Sequence, residues 1–161
     1  MPEKEMQMMR GRDILLSMKL FIASDHAGFF LKEYLRKYFI TKKISVIDLG
    51  ASSFVQEDDY PRYAFTLAKN IGKEKNSRGI LLCGSGQGVC IAANKISGVR
   101  AALAWNTKSA ILSRKDDDAN ILCLPSRLIS RNEAKKIVDV WLRTPFSKEA
   151  RHIRRIKKLS L

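Results

Sequence analysis

The fold of this chain turns on LLCGSGQGVCIAANK, residues 81–95. An apolar run, RGILLC (78–83), ends on a cysteine and passes through Gly84, Gly86 and Gly88 before apolar residues resume at helical spacing. A strand that leaves through such a turn into a helix belongs to a parallel α/β sheet, where ligands bind beyond the carboxyl ends of the strands. Glycines let the backbone take positive φ and approach a ligand closely, at an entropic cost that a plain turn does not require. The common glycine motifs do not fit. A dinucleotide fingerprint puts a glycine where Val89 stands, a Walker loop needs Gly-Lys-Ser/Thr, and a nucleophile elbow around Ser85 needs glycines at 83 and 87, which are Cys83 and Gln87.

Outward from the loop, strand and helix patterns alternate. KLFIAS (19–24) reads as a strand and leads into Leu31, Tyr34, Leu35 and Tyr38 at helical spacing. ISVIDLG (44–50) reads as a second strand, and Pro61 opens a helix whose Ala64, Leu67, Ala68 and Ile71 share one face before Gly72. After the third strand at 78–83 come a helix through Ile91 to Ile96, a strand at VRAALA (99–104), a helix from Thr107 and a fifth strand at NILCLP (120–125). Ser130 and Glu133 form a capping box ahead of Ala134, Ile137, Val138, Trp141 and Leu142. The pattern predicts an α/β, doubly wound, Rossmann-like fold: a five-stranded parallel sheet with helices on both faces. Thr144 and Pro145 break the chain, and FSKEARHIRRIKKLSL predicts a basic helix with little apolar face for its own domain. The expected organisation is therefore a disordered tail at 1–17, a domain at 18–143 and a basic C-terminal helix at 144–161 that is available to pack on a neighbour.

A length of 161 residues suits one well-buried core. Hydrophobic residues make up 45% and charged residues 29%, and no apolar run approaches the ~18 residues of a membrane span, so no membrane partner is expected. Residues 1–17 lack the apolar core of a secretory signal. Cys83, Cys90 and Cys123 are odd in number and form no C-x-x-C pair, which argues against disulfides and zinc and for a reducing, cytoplasmic setting. A formal net charge of +14 favours anionic partners without naming the anion: nucleic acid, an acidic surface and a phosphorylated metabolite all fit, as does a plain basic surface.

Cys83, at a strand end just ahead of a helix N-terminus, stands where a thiolate is favoured, and is a candidate base or nucleophile. The competing reading is a small buried hydrophobe, which also accounts for Cys90 and Cys123. Asp25 and His26, in S-D-H-A-G, close the first strand at the same sheet edge; a helix cap accounts for Asp25 equally well. Arg151 and Arg155, at i and i+4 around His152, make either a phosphate clamp or a nucleic-acid-binding surface.

Taken together, S-D-H-A-G, D-Y-P (59–61), C-G-S-G-Q-G-V (83–89), I-A-A-N-K (91–95) and R-H-x-x-R (151–155) resemble the type B ribose-5-phosphate isomerases from Met18 to about Lys157. The resemblance implies an aldose-ketose isomerase of the pentose phosphate pathway that works through an enediolate, with no metal or organic cofactor. It implies a homodimer with shared active sites, or a tetramer built from it, whose partner is a phosphorylated sugar and not nucleic acid. It makes Cys83 the base, since Val89 stands where some members carry a glutamate, and assigns Gly84, Ser85, Gly86 and Gly88 to the enediolate oxygens. Asp25, His26, Tyr60 and Arg127 match sugar and phosphate contacts, and the C-terminal helix would bring Arg151 and Arg155 into the partner's site. Asp116 and Asp117 occupy positions where many relatives have His-Asn, and the histidine assists ring opening. An aspartate is a poorer proton donor at neutrality, so ring opening is expected to rely weakly on Asp116 or on solvent. Two other readings stay open: the same chemistry on allose or galactose 6-phosphate, and a non-catalytic nucleotide or nucleic-acid binding protein.

Overall fold

The computed structural model describes residues 17–159. The tail expected at 1–17 therefore lies, apart from Ser17, outside the described residues. Five strands, β1 (Lys19–Ser24), β2 (Ile47–Asp48), β3 (Ser77–Cys83), β4 (Ala101–Leu103) and β5 (Ile121–Pro125), form one parallel sheet in the order β2-β1-β3-β5-β4. The helices are α1 (Phe29–Thr41), α2 (Tyr60–Lys73), α3 (Gln87–Ala93), α4 (Thr107–Lys115), α5 (Arg131–Arg143) and α6 (Ala150–Lys157).

Alternation along the central strand sorts the core into two layers. Ile80 and Leu82 pack with Leu35 and Phe39 of α1, Ala110 of α4 and Trp141 of α5. Leu81 and Cys83 face the other way, onto Leu67 and Ile71 of α2 and Val89 of α3. Helices thus cover both faces, and a near-continuous apolar strand such as ILLC is what a doubly covered sheet requires. From β1 the chain runs outward to β2, then returns to β3 on the other side of β1 and continues outward to β4. That reversal leaves a crevice at the carboxyl ends of β1 and β3, the place where open α/β sheets bind ligands.

Three elements are shorter than the sequence suggests, each for a local reason. The strand expected at 44–50 is regular only at Ile47–Asp48, because it is an edge strand whose only neighbour is β1, and Ile44 and Val46 pack against a helical layer. The helix expected to reach Ile96 stops at Ala93: the Asn94 side chain turns to β4, donating to the Ala101 carbonyl and accepting from its N–H, both at 2.9 Å. The basic helix begins at Ala150, and it does bury a residue on its own domain, His152. The capping box of α5 forms as expected, with Ser130 accepting from the Glu133 N–H and Glu133 accepting from the Ser130 N–H at 2.7 Å.

Candidate active site

The exits of β1, β3 and β5 and the loop leading into α2 converge at the carboxyl edge of the sheet. Asp25 follows Ser24, whose register partner is Leu82, so it stands level with Cys83 on the neighbouring strand. The Cys83 carbonyl accepts from the Ser126 N–H at 2.9 Å, and the Gly84 carbonyl from the Arg127 N–H at 3.0 Å. These bonds latch the β5 exit to the glycine loop and lay the Arg127 guanidinium over Gly84, where an added Cβ would lie 3.1 Å from Nη1.

The loop geometry explains its glycines. Gly86 has φ 73 and caps α3, and a Cβ there would meet Leu103 Cδ1 at 2.5 Å and the Leu124 backbone at 3.0 Å. Only glycine takes that conformation without strain. At Gly88 the Tyr60 ring lies so close that a Cβ would come within 2.7 Å of it. Tyr60 thus walls one side of the loop from the start of α2, and is itself 39% exposed. Ser85 is exposed at the loop tip.

Cys83 is only 5% exposed and belongs to the apolar layer under α2 and α3, so the buried-hydrophobe reading describes part of its surroundings. Its sulfur nevertheless points into the loop, accepting from the Gly86 N–H at 3.1 Å. A plain apolar cysteine has no such partner, and negative charge developing on this sulfur meets an oriented amide. Of the other thiols, Cys123 is fully buried, and burial pushes it well above its ordinary range. Cys90 packs, partly buried, against the same apolar layer, and the Cys123 thiol beside it draws its pKa down to about 7.

Asp25 does act as a cap, accepting from the Gly28 N–H at 3.1 Å, and burial raises its carboxyl above the usual range. His26 is held from two sides of its own residue. Asp58 Oδ1 accepts from both the His26 backbone N–H and ring Nδ1, at 2.8 Å each, and that contact raises the imidazole above 6.5. Asp58 is the residue that sequence reasoning missed. It is the middle of three consecutive acids at 57–59, and only its closeness to Tyr60-Pro61 marked the segment. One donor atom each of Asp25, His26 and Asp58 lies within 4.8 Å of the others, close enough to share a cation, although His26 Nδ1 and Asp58 Oδ1 are paired with each other.

Asp116, Asp117, Arg151 and Arg155 are not in this cluster. The helix α4 leaves the carboxyl end of β4 and returns to the amino end of β5, so Asp116 and Asp117 lie at the opposite edge of the sheet. There α6 docks on the end of α4: the Ser147 N–H donates to the Lys115 carbonyl at 3.0 Å, and His152 Nε2 lies 3.9 Å from Asp116 Oδ1. Ser147 Oγ, 2.7 Å from His152 Nδ1, fixes the other side of that buried ring. Arg151 and Arg155 are exposed. The chain therefore carries a carboxyl-edge cluster with a thiol, a histidine and a glycine loop, and an amino-edge cluster with basic and acidic side chains.

A family profile described as Ribose/Galactose Isomerase matches residues 20–159, and the chain belongs to that family. It is 47% identical over 145 residues to the probable ribose-5-phosphate isomerase B of Mycoplasma genitalium, covering 89% of this chain and 95% of that one. Over 140 residues it is 48% identical to the probable ribose-5-phosphate isomerase B of Mycoplasma pneumoniae, covering 87% and 91%. The crystal structure of the M. genitalium ribose-5-phosphate isomerase B with bound ribulose-5-phosphate superposes with a TM-score of 0.85 at 47% identity, covering 89% of this chain and 94% of that one. That of Thermotoga maritima gives 0.85 at 46% identity, covering 89% and 98%.

Proposed function

We propose that this chain is a type B ribose-5-phosphate isomerase, interconverting ribose 5-phosphate and ribulose 5-phosphate. The observation that carries the chemistry is the Cys83 sulfur at the reversal point of the sheet, under a glycine loop whose Gly86 N–H donates to it at 3.1 Å. In the aldose-to-ketose direction the Cys83 thiolate takes the proton from C2, the electrons move onto the C1 carbonyl oxygen, and a cis-enediolate forms. The O2 hydroxyl proton passes to O1 across the cis pair of oxygens, and the thiol then returns its proton to C1 as the C2–O bond becomes the ketone carbonyl, so base and acid are one group. The N–H groups of the loop around Gly84, Ser85, Gly86 and Gly88 meet the developing oxyanion, a contribution of about 10²- to 10³-fold per donor. Asp25 takes a sugar hydroxyl, His26 is held by Asp58 to face the phosphate, Tyr60 walls the pocket, and Arg127 adds positive charge above Gly84.

The phosphate needs more than His26. In a two-fold dimer the amino-edge cluster of one copy closes the carboxyl-edge cluster of the other, bringing Arg151 and Arg155 to the phosphate and Asp116 and Asp117 to the ring oxygen. The exposed α6 guanidiniums and their distance from Cys83 within one protomer support this arrangement. Initial rates on ribose 5-phosphate, allose 6-phosphate and galactose 6-phosphate test the reading. Highest kcat/KM on the pentose is expected; a preference for a six-carbon sugar moves the substrate, and no turnover of any of them removes the enzyme.

A further inference from the structure

We infer that the amino edge of the sheet holds a second anion site, centred on Arg78 and suited to a phosphate or phosphomonoester. A cavity of about 360 Å³ opens there, away from Cys83, lined by four cations, Lys75, Arg78, Arg100 and Arg114, and two carboxylates, Glu74 and Asp118. Both carboxylates are already engaged. Asp118 divides its oxygens between Arg100 at 3.1 Å and Arg114 at 2.8 Å, and Glu74 pairs with Lys19 at 2.9 Å. Lys75 and Arg78 are left with no carboxylate among the described residues.

Arg78 is the telling member. It is the second residue of β3, next to the buried Ser77 and Gly79. Its Nη1 donates to the Trp141 and Leu142 carbonyls at 3.3 and 2.7 Å, which fixes the guanidinium at the end of α5 and leaves Nε and Nη2 without an acceptor among the described residues. Burial and the Arg114 guanidinium nearby push its pKa down to about 10, the cost of holding two like charges together. Fixed, partly desolvated guanidinium forks with unused donors suit the tetrahedral oxygens of a phosphate, and a bound dianion relieves their repulsion. The cavity exceeds a bare ion, and Met18 and Ile71 offer apolar wall for an organic body. None of the residues assigned to the isomerase chemistry lines it, so the site stands or falls apart from that reading.

Calorimetric titration of the full-length protein at low ionic strength, with inorganic phosphate and with glycerol 3-phosphate, tests this site. Two equivalents per protomer are expected in the wild type. Arg78→Gln should weaken one of them by about tenfold or more while leaving isomerase kcat/KM unchanged, and Arg155→Gln should weaken the other. Lys75→Glu, at an exposed turn position, should lower the same affinity as Arg78→Gln and decides the matter if that variant misfolds. Tighter binding of glycerol 3-phosphate assigns the pocket to an organic phosphate, equal binding to the free anion. A single equivalent in the wild type, or wild-type phosphate binding in both Arg78→Gln and Lys75→Glu, overturns the proposal.

Discussion

Asp58 Oδ1 lies 2.8 Å from both the backbone nitrogen and the ring Nδ1 of His26, so one carboxylate oxygen fixes where the residue sits and how its ring is turned. Nδ1 is thereby spoken for, and Nε2 has no hydrogen-bond partner among the described residues.

Loss of that carboxylate should therefore appear first in the histidine. In Asp58→Asn, an NMR titration should place the His26 pKa below its wild-type value, with kcat/KM lowered through KM more than through kcat. The sign for stability follows from the raised folded pKa. The His26–Asp58 pairing contributes stability that is fully present below pH 6.5 and fades as pH rises through the higher folded value. The melting difference between wild type and variant should shrink from pH 6 to pH 9; a difference that widens contradicts the pairing.

Two glycines of the loop should fail in different ways. Gly86→Ala forces a side chain into positive φ and against the Leu124 backbone, so it should lower stability by about 2 kcal/mol in denaturant melts. Gly88→Ala meets only the Tyr60 ring, which can turn aside, so it should unfold near the wild-type midpoint while raising KM. Equal stability losses in the two variants would mean that Tyr60 is not free to move.

Lys32 is fully buried, with Nζ 2.7 Å from both Asp48 Oδ2 and Glu33 Oε1. Removing it empties a fully buried site and leaves Glu33 and Asp48 to share Arg36, whose Nη1 lies 3.0 and 3.1 Å from them. Lys32→Ala should cost about 3 kcal/mol of unfolding free energy, and Lys32→Met less, because the thioether keeps the packing of the stem. Indistinguishable urea midpoints for wild type and Lys32→Ala would show the pair to be energetically neutral.

The elements whose local chemistry agrees with their tertiary setting were legible in the sequence. The Ser130–Glu133 box and the Trp141 stripe of α5 satisfy their caps and bury their faces with residues a few positions apart, so spacing alone reveals them. The glycine loop was legible for the same reason, because Gly86 needs its φ whatever surrounds it. The edge strand β2 was legible only in part, since its length depends on one neighbour and not on its own residues. Asp58 was not legible at all: it acts on His26 across 32 positions of chain, and nothing in a run of acids says which one faces inward. Nor does spacing reveal that Asp116 and Cys83 stand at opposite sheet edges; strand order does.

The opposite placement of the two clusters makes assembly testable through activity. Cys83→Ala and Arg155→Gln should each be nearly inactive as pure dimers. Mixed by unfolding and refolding together, they should regain about a quarter of wild-type activity, because half the dimers are then mixed and each carries one intact site of two. No recovery would place Cys83 and Arg155 in the same protomer's site or in none.

The account depends most on the Cys83 sulfur as the group that moves the proton. Its direct test is single-turnover isomerisation of ribose 5-phosphate in deuterated water by wild type and Cys83→Ala, with substrate binding measured alongside. The account predicts that the variant folds and binds with a Kd within a few-fold of wild type, while isomerisation and deuterium incorporation at C1 and C2 fall by at least about 10³-fold. Exchange and turnover within tenfold of wild type in Cys83→Ala would contradict it.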